Sequence, residues 1–212
     1  FSDAASHNQS ITGDTNVVIT GAQPSSGYKD NNYIAVVEKG AKMCGCDVCD
    51  ITNTAWANSA IIWVKGGTLC HSKVRRCSNN GNKITTFFVS DFSKTLVDHC
   101  ELTENSNSRI ISNGDAKVYY VRDTLIASNR CSQVIWADRG FFFTCCRILD
   151  NVITSGDGSI VYFGGYASAY MTNCLVVGNQ TYTGPIFNAR EGHEVYLGNC
   201  TVEPNRQLYA ET

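Results

Sequence analysis

In the second half of the chain the apolar positions recur with a period of about two dozen residues. Set in register, five segments read KTLVDHCELTEN (94–105), VYYVRDTLIASN (118–129), GFFFTCCRILDN (140–151), SAYMTNCLVVGN (168–179) and EVYLGNCTVEPN (194–205). Each ends in Asn. Five residues earlier stands Cys100, Thr124, Cys146, Cys174 or Cys200, and three residues earlier stands Leu102, Ile126, Ile148, Val176 or Val202. The terminal Asn residues are 22 to 28 positions apart. A period in that range is the signature of a solenoid whose turns stack on one another. The segments are short, β-branched or aromatic and lack a 3.6-residue rhythm, so each turn is expected to be built of strands.

A second series runs on the other side of the turn. Tyr33-Ile34, Ile61-Ile62, Phe87-Phe88, Ile110-Ile111, Val134-Ile135, Ile160-Val161 and Ile186-Phe187 are spaced 23 to 28 residues apart. Together the two series predict an all-β, single-domain parallel β-helix of about seven coils over 33–205. Residues 1–32 read as an N-terminal cap or irregular first coil, with a strand at Asn16–Thr20, and 206–212 as a C-terminal tail. Ala60–Gly67 matches Val134–Gly140 closely, which assigns Trp63 and Trp136 equivalent places. Lys73–Gly81 fits the block least well and is read as a degenerate copy, with Cys77 in the cysteine column.

Strand alternation gives the faces. If Cys100, Cys146, Cys174 and Cys200 point inward, their predecessors His99, Cys145, Asn173 and Asn199 point out. Asn105, Asn129, Asn151, Asn179 and Asn205 form a column in which amides about 4.8 Å apart can hydrogen-bond as a ladder, Asn being tolerant of left-handed turn geometry. Leu96, Tyr120, Phe142, Tyr170 and Tyr196 form an outward stripe if Val97, Val121, Phe143, Met171 and Leu197 face the core. Such a stripe suits stacking on sugar rings or docking against another subunit.

Composition narrows the setting. With 43% apolar content in 212 residues the chain can bury one continuous core. A formal charge of −2 with no basic block argues against nucleic acid as a partner, and no apolar run reaches the roughly 20 residues of a helical membrane span. The chain opens on Phe1, as expected of a processed protein or a piece of a longer one. Eleven cysteines and acceptor sequons at Asn8, Asn179 and Asn199 favour an extracellular or cell-surface protein carrying disulfides and glycans. Asn179 cannot both carry sugar and join a ladder. Cys44, Cys46, Cys49, Cys70, Cys77, Cys146, Cys174 and Cys200 are the disulfide candidates, because equivalent Cα atoms on adjacent coils lie within bridging distance. The alternative is that the column cysteines are buried thiols. The Cys44-x-Cys46-x-x-Cys49 spacing lacks the paired knuckles of a zinc ribbon, so no metal is assigned to it.

In coil length, Asn column and motifs such as Met171–Asn179, the chain resembles the pectate-lyase-like right-handed β-helix superfamily over about 33–205. The resemblance implies a fold shared by polysaccharide lyases and hydrolases, phage tailspikes, adhesins and cell-surface proteins. The Asn-Thr-Asp, Asp-Asp, Gly-His-Gly and Arg-Ile-Lys patterns of polygalacturonase-like enzymes are absent; Gly156-Asp-Gly158 is no substitute. Lyase-like sites use acidic residues on calcium with an Arg or Lys base. The nearest approach here is Asp98-His99 beside Arg122-Asp123, with Lys73 and Arg75 one coil earlier, where an arginine driven toward its neutral form would abstract the proton. The leading expectation is therefore a non-catalytic structural or adhesive module, self-associating or docking on a cell-surface partner or carbohydrate, with no cofactor. The alternative is a calcium-dependent carbohydrate-active enzyme on acidic polysaccharide.

Overall fold

The computed structural model describes residues 11–20, 33–53, 60–79, 85–89, 95–113, 118–156, 158–163, 168–189 and 193–207. Every regular element among them is a strand. The strands form two parallel sheets, of 13 and 12 strands, in which neighbours are successive coils rather than successive segments. The chain is a parallel β-solenoid of about five turns. Seven coils were expected because seven strands stack in the column that runs from Tyr33–Val37 to Phe187–Ala189.

One coil shows the construction. Thr95–Asp98 lies in the first sheet, His99 makes a corner, Glu101–Thr103 continues the same sheet, Glu104 makes a second corner, and Ser106–Asn113 enters the second sheet. Within Ser106–Asn113 the adjacent Ile110 and Ile111 are both fully buried in the same core, so strict alternation fails there. Trp63 and Trp136 do share one column, Trp63–Phe88–Ser112–Trp136–Tyr162. The strand Ile11–Thr20 pairs in parallel with Lys42–Cys49, and Arg206–Gln207 still pairs with Gln180–Thr181 beyond the boundary expected at 205.

The corners explain the two small-residue columns. Among the described residues, all eleven non-glycine residues with positive φ fall in just two of them: His71, His99, Asp123, Cys145, Asn173 and Asn199 at the first, and Asp50, Arg76, Glu104, Ser128 and Asp150 at the second. Left-handed geometry costs an L-residue about 1–2 kcal/mol, so each corner needs compensation. Part of it comes from the backbone: His99 N–H donates to Arg122 O at 3.0 Å and Glu104 N–H to Ala127 O at 3.2 Å, with the same bond at the other coils. The ladder of strand hydrogen bonds thus passes through the corner unbroken.

The rest comes from the residue just after each corner. After the second corner stands Asn105, Asn129, Asn151, Asn179 or Asn205; the first four are buried. Each side-chain amide donates to the next, from Asn105 to Asn129 at 3.1 Å, Asn129 to Asn151 at 2.9 Å, Asn151 to Asn179 at 2.9 Å and Asn179 to Asn205 at 3.0 Å. Its second N–H reaches a backbone carbonyl, as Asn129 does Leu102 O at 2.9 Å, and its Oδ1 also accepts the backbone N–H of the preceding coil. The left-handed residue is therefore the one before the Asn, and the Asn is there for its two donors and one acceptor. Cys77 and Ile51 stand in this same column at the head of the stack: Cys77 N–H donates to Asn105 Oδ1 at 3.0 Å, and Ser78 N–H donates to Ile51 O at 2.8 Å. Lys73–Gly81 was thus read out of register, and the residue in the cysteine column is Ser72.

After the first corner the column reads Cys46, Ser72, Cys100, Thr124, Cys146, Cys174 and Cys200. Each hydroxyl or thiol turns back to the carbonyl two residues earlier: Ser72 to Cys70 O at 2.8 Å, Cys100 to Asp98 O at 3.2 Å, Thr124 to Arg122 O at 2.8 Å and Cys174 to Thr172 O at 3.3 Å. What the position demands is a small side chain with a weak donor, which is why Ser and Thr share it with Cys. The disulfides expected among Cys146, Cys174 and Cys200 do not form; these remain thiols, as do Cys46, Cys49 and Cys77. The disulfide present joins Cys44 to Cys70, which stand opposite one another on adjacent outward strands. Burial pushes the Cys100 thiol up to about 12, and hydrogen bonding to Cys174 together with burial raises that of Cys146. Cys100 and Cys146 are therefore thiols rather than thiolates, whereas the hydrogen bond from Cys146 lowers Cys174 to about 7.

Two tests follow from the corners. Asn129→Ala strips a fully buried site of its amide and strands the Asn105 N–H, and should lower unfolding stability by about 2–4 kcal/mol in denaturant titrations; a change under about 0.5 kcal/mol would show the ladder to be ornamental. Alkylation of unfolded, unreduced protein should label nine cysteines by mass spectrometry, and eleven after reduction. Fewer than nine would mean that the column thiols are bridged.

Candidate functional site

The outer face of the first sheet carries the side chains free to meet a partner. The stripe occupies one outward column in register, Leu96–Tyr120–Phe142–Tyr170–Tyr196. Its inner neighbours Val97, Val121, Phe143 and Met171 are buried. Leu197 is the exception at 46% exposed, with no described coil stacked beyond it. Ring centroids follow one another at 5.4, 4.8 and 4.7 Å, and the last two pairs are nearly coplanar, with interplanar angles of 7° and 3°. Tyr120, Tyr170 and Tyr196 are 36 to 45% exposed. The rings thus stack along the solenoid axis. Phe142 and Tyr170 have both faces covered by their neighbours, and the stripe offers ring edges and hydroxyls to the outside. A sugar needs an open ring face to stack, which corrects the expectation of sugar stacking along the stripe.

Round the first corner the next outward face changes character along the axis. In the early coils it is ionic: Arg75 binds Asp47 through two contacts, of 2.9 and 2.5 Å, Lys73 lies 3.2 Å from Glu101, and at the second corner Arg76 grips Asp50 at 2.7 and 2.8 Å. In the later coils the same columns hold half-buried Leu125, Ala127, Leu149, Leu175 and Val177, with exposed Arg147 between Leu125 and Leu175. Arg75 and Lys73 are therefore engaged on this face and do not join the Asp98 group.

Asp98, His99, Arg122 and Asp123 do come together, at the first corner beside the head of the stripe. Arg122 clamps Asp98 with Nε to Oδ1 at 2.8 Å and Nη2 to Oδ2 at 2.9 Å. His99 Nδ1 lies 2.9 Å from Asp98 Oδ1, and His99 Nε2 and Arg122 Nε lie 3.8 and 3.7 Å from Asp123 Oδ2. The Arg122 hydrogen bonds hold the Asp98 carboxyl below the usual carboxylate range, and the Asp98 hydrogen bond raises Arg122. An arginine so paired is held cationic, the opposite of the neutral base that a lyase would need. Calcium does not fit this group either, since it asks for six to eight oxygen ligands, whereas the atoms gathered round Asp98 are guanidinium and imidazole nitrogens.

His71 completes the cluster. It occupies the same corner one coil earlier, and its ring stacks on His99 with centroids 4.8 Å apart. Reading Lys73–Gly81 out of register hid it: aligning Cys70-His71-Ser72 on Asp98-His99-Cys100 places one imidazole over the other. Of the sequon residues, Asn8 lies outside the described residues. Asn179 is wholly buried with its amide engaged in the ladder, so a glycan there is incompatible with the fold. Asn199 is exposed at the first corner, its amide donating to Asn173 Oδ1 at 2.7 Å.

In comparisons with known proteins, no family model and no curated protein matches this chain.

The clamp on Asp98 has a measurable consequence. Arg122→Ala leaves a nearly buried carboxylate unmatched and should lower the denaturation midpoint at neutral pH, while adding Asp98→Asn should restore part of the loss. If the double variant is as unstable as the two single losses added, the pair is not coupled.

Proposed function

We propose that the chain is a structural or adhesive module of a secreted or cell-surface protein, a β-helix of the pectate-lyase-like kind, that associates laterally with a second copy of itself. The observation that carries this reading is the axial division of the outer surface. Early coils close their outward columns with ion pairs, whereas later coils leave a stacked row of ring edges on one face and, round the first corner, half-buried Leu125, Leu149, Leu175 and Val177 interrupted by Arg147. Aromatic edges and aliphatic groups left together at a surface favour a protein partner. A row that repeats at the rung spacing can interdigitate with itself about a two-fold axis, so the same patch serves both copies. Exposed Asn199 offers a glycan site at the first corner of the last coil, and the Cys44–Cys70 bridge suits an oxidising compartment.

A second reading, a carbohydrate-active enzyme on acidic polysaccharide, draws support from the convergence of Asp98, His99, Arg122 and Asp123. It ranks lower because the acid and the cation neutralise each other.

Sedimentation velocity over a wide range of concentration tests the first reading. The native chain should associate, and a variant with Tyr120, Phe142, Tyr170 and Tyr196 all changed to Thr, the residue that the neighbouring outward column carries at Thr144 and Thr172, should stay monomeric with an unchanged circular dichroism spectrum. A native chain that stays monomeric throughout, or a variant that associates equally, would sink it. Unsaturated product released from a uronate polymer by the native chain, and lost in Arg122→Ala, would put the enzyme first.

A further inference from the structure

We propose that His71, His99 and Asp98 form a surface site for one divalent transition-metal ion. The two imidazoles sit at equivalent corners one coil apart, with φ of 48° and 50°, so the backbone holds both rings on the same outward column. Their ligand atoms and a carboxylate oxygen of Asp98 all lie within 4.8 Å of one another. The 2.9 Å between His99 Nδ1 and Asp98 Oδ1 is a hydrogen-bond separation; two ligands each about 2.1 Å from a tetrahedral zinc stand about 3.4 Å apart, so the pair opens by about 0.5 Å on binding. His71 is exposed and closes the third position by rotating its side chain.

The surroundings are those of a metal site rather than of a bare pair of histidines. Arg122 takes one lone pair on each oxygen of Asp98, which fixes the carboxylate and leaves a second lone pair on each. On the far side of the His99 ring, Asp123 Oδ2 lies 3.8 Å from Nε2. That is the place of the outer carboxylate that orients a ligating imidazole through its other nitrogen. In the bound form the metal replaces the proton between Nδ1 and Oδ1, and His99 keeps its remaining proton on Nε2, toward Asp123. Two carboxylates against one guanidinium leave the group negative while the imidazoles are neutral, which favours a cation. Two imidazoles and one carboxylate select zinc, nickel, copper or cobalt over calcium or magnesium. Three protein ligands leave the remaining positions open to water or to a group brought by another molecule.

The test uses Co(II) and Zn(II) with the full chain at neutral pH. His71→Asn and His99→Asn are suitable variants, because the chain itself places Asn at the same corner at Asn173 and Asn199, with φ of 54° and 52°. Calorimetry should give one equivalent of Zn(II) per chain, and each variant should weaken binding at least tenfold with an unchanged circular dichroism spectrum. The Co(II) complex should show the weak visible bands of nitrogen and oxygen ligands. Absence of saturable binding, native affinity in either variant, or the intense near-ultraviolet bands of thiolate ligation would overturn the assignment.

Discussion

A chain that turns sharply twice per coil at the edge of its own core must satisfy every backbone group it carries past the bend, because water cannot reach them. Here the bend is made by a single left-handed residue, and the next residue supplies what the bend leaves unpaired. At one corner that residue is Asn, whose amide has two donors for the neighbouring side chain and a carbonyl and an acceptor for the backbone of the preceding coil. At the other it is Cys, Ser or Thr, folded back onto the carbonyl two positions earlier. The two columns are therefore solutions to one problem at two sizes.

This constraint also governs the cysteines. A count of eleven invites a disulfide framework, yet seven of the nine thiols are buried, and five thiols bond to backbone carbonyls in a column that also accepts Ser and Thr. The bridge between Cys44 and Cys70 lies instead on an outward column, with the two residues paired across adjacent strands. The bridge is thus confined to one outward pair, while the column cysteines report the size and donor strength that the corner requires.

Corners also place the chemistry. Left-handed residues project from the edge between two faces, so the first corner column collects whatever polar groups the coils provide: two histidines, an aspartate, an exposed cysteine and two asparagines. Asp98 and Arg122 come from the strand column next to it, and the aromatic stripe from two residues further along the same strands. The ionic and apolar halves of the outer surface are set coil by coil, without disturbing the core beneath.

The amino-acid sequence by itself determined the solenoid, the stacking order, the Asn column and the stripe, because parallel coils in register turn a positional period directly into a contact. Reading position as contact fails where the register shifts. Lys73–Gly81 took Cys77 for a member of the cysteine column when it belongs over the Asn column, and so His71 was not seen above His99. Alternation failed likewise at Ile110-Ile111, where both neighbours enter the core. Only the tertiary structure decided which residue of each corner is left-handed, that the column thiols bond to backbone carbonyls and stay unbridged, that Asn179 is sealed in the ladder, and that the stripe shows its edges instead of its faces. Each of these depends on the direction of a side chain relative to the coils above and below, and a one-dimensional period carries no such direction.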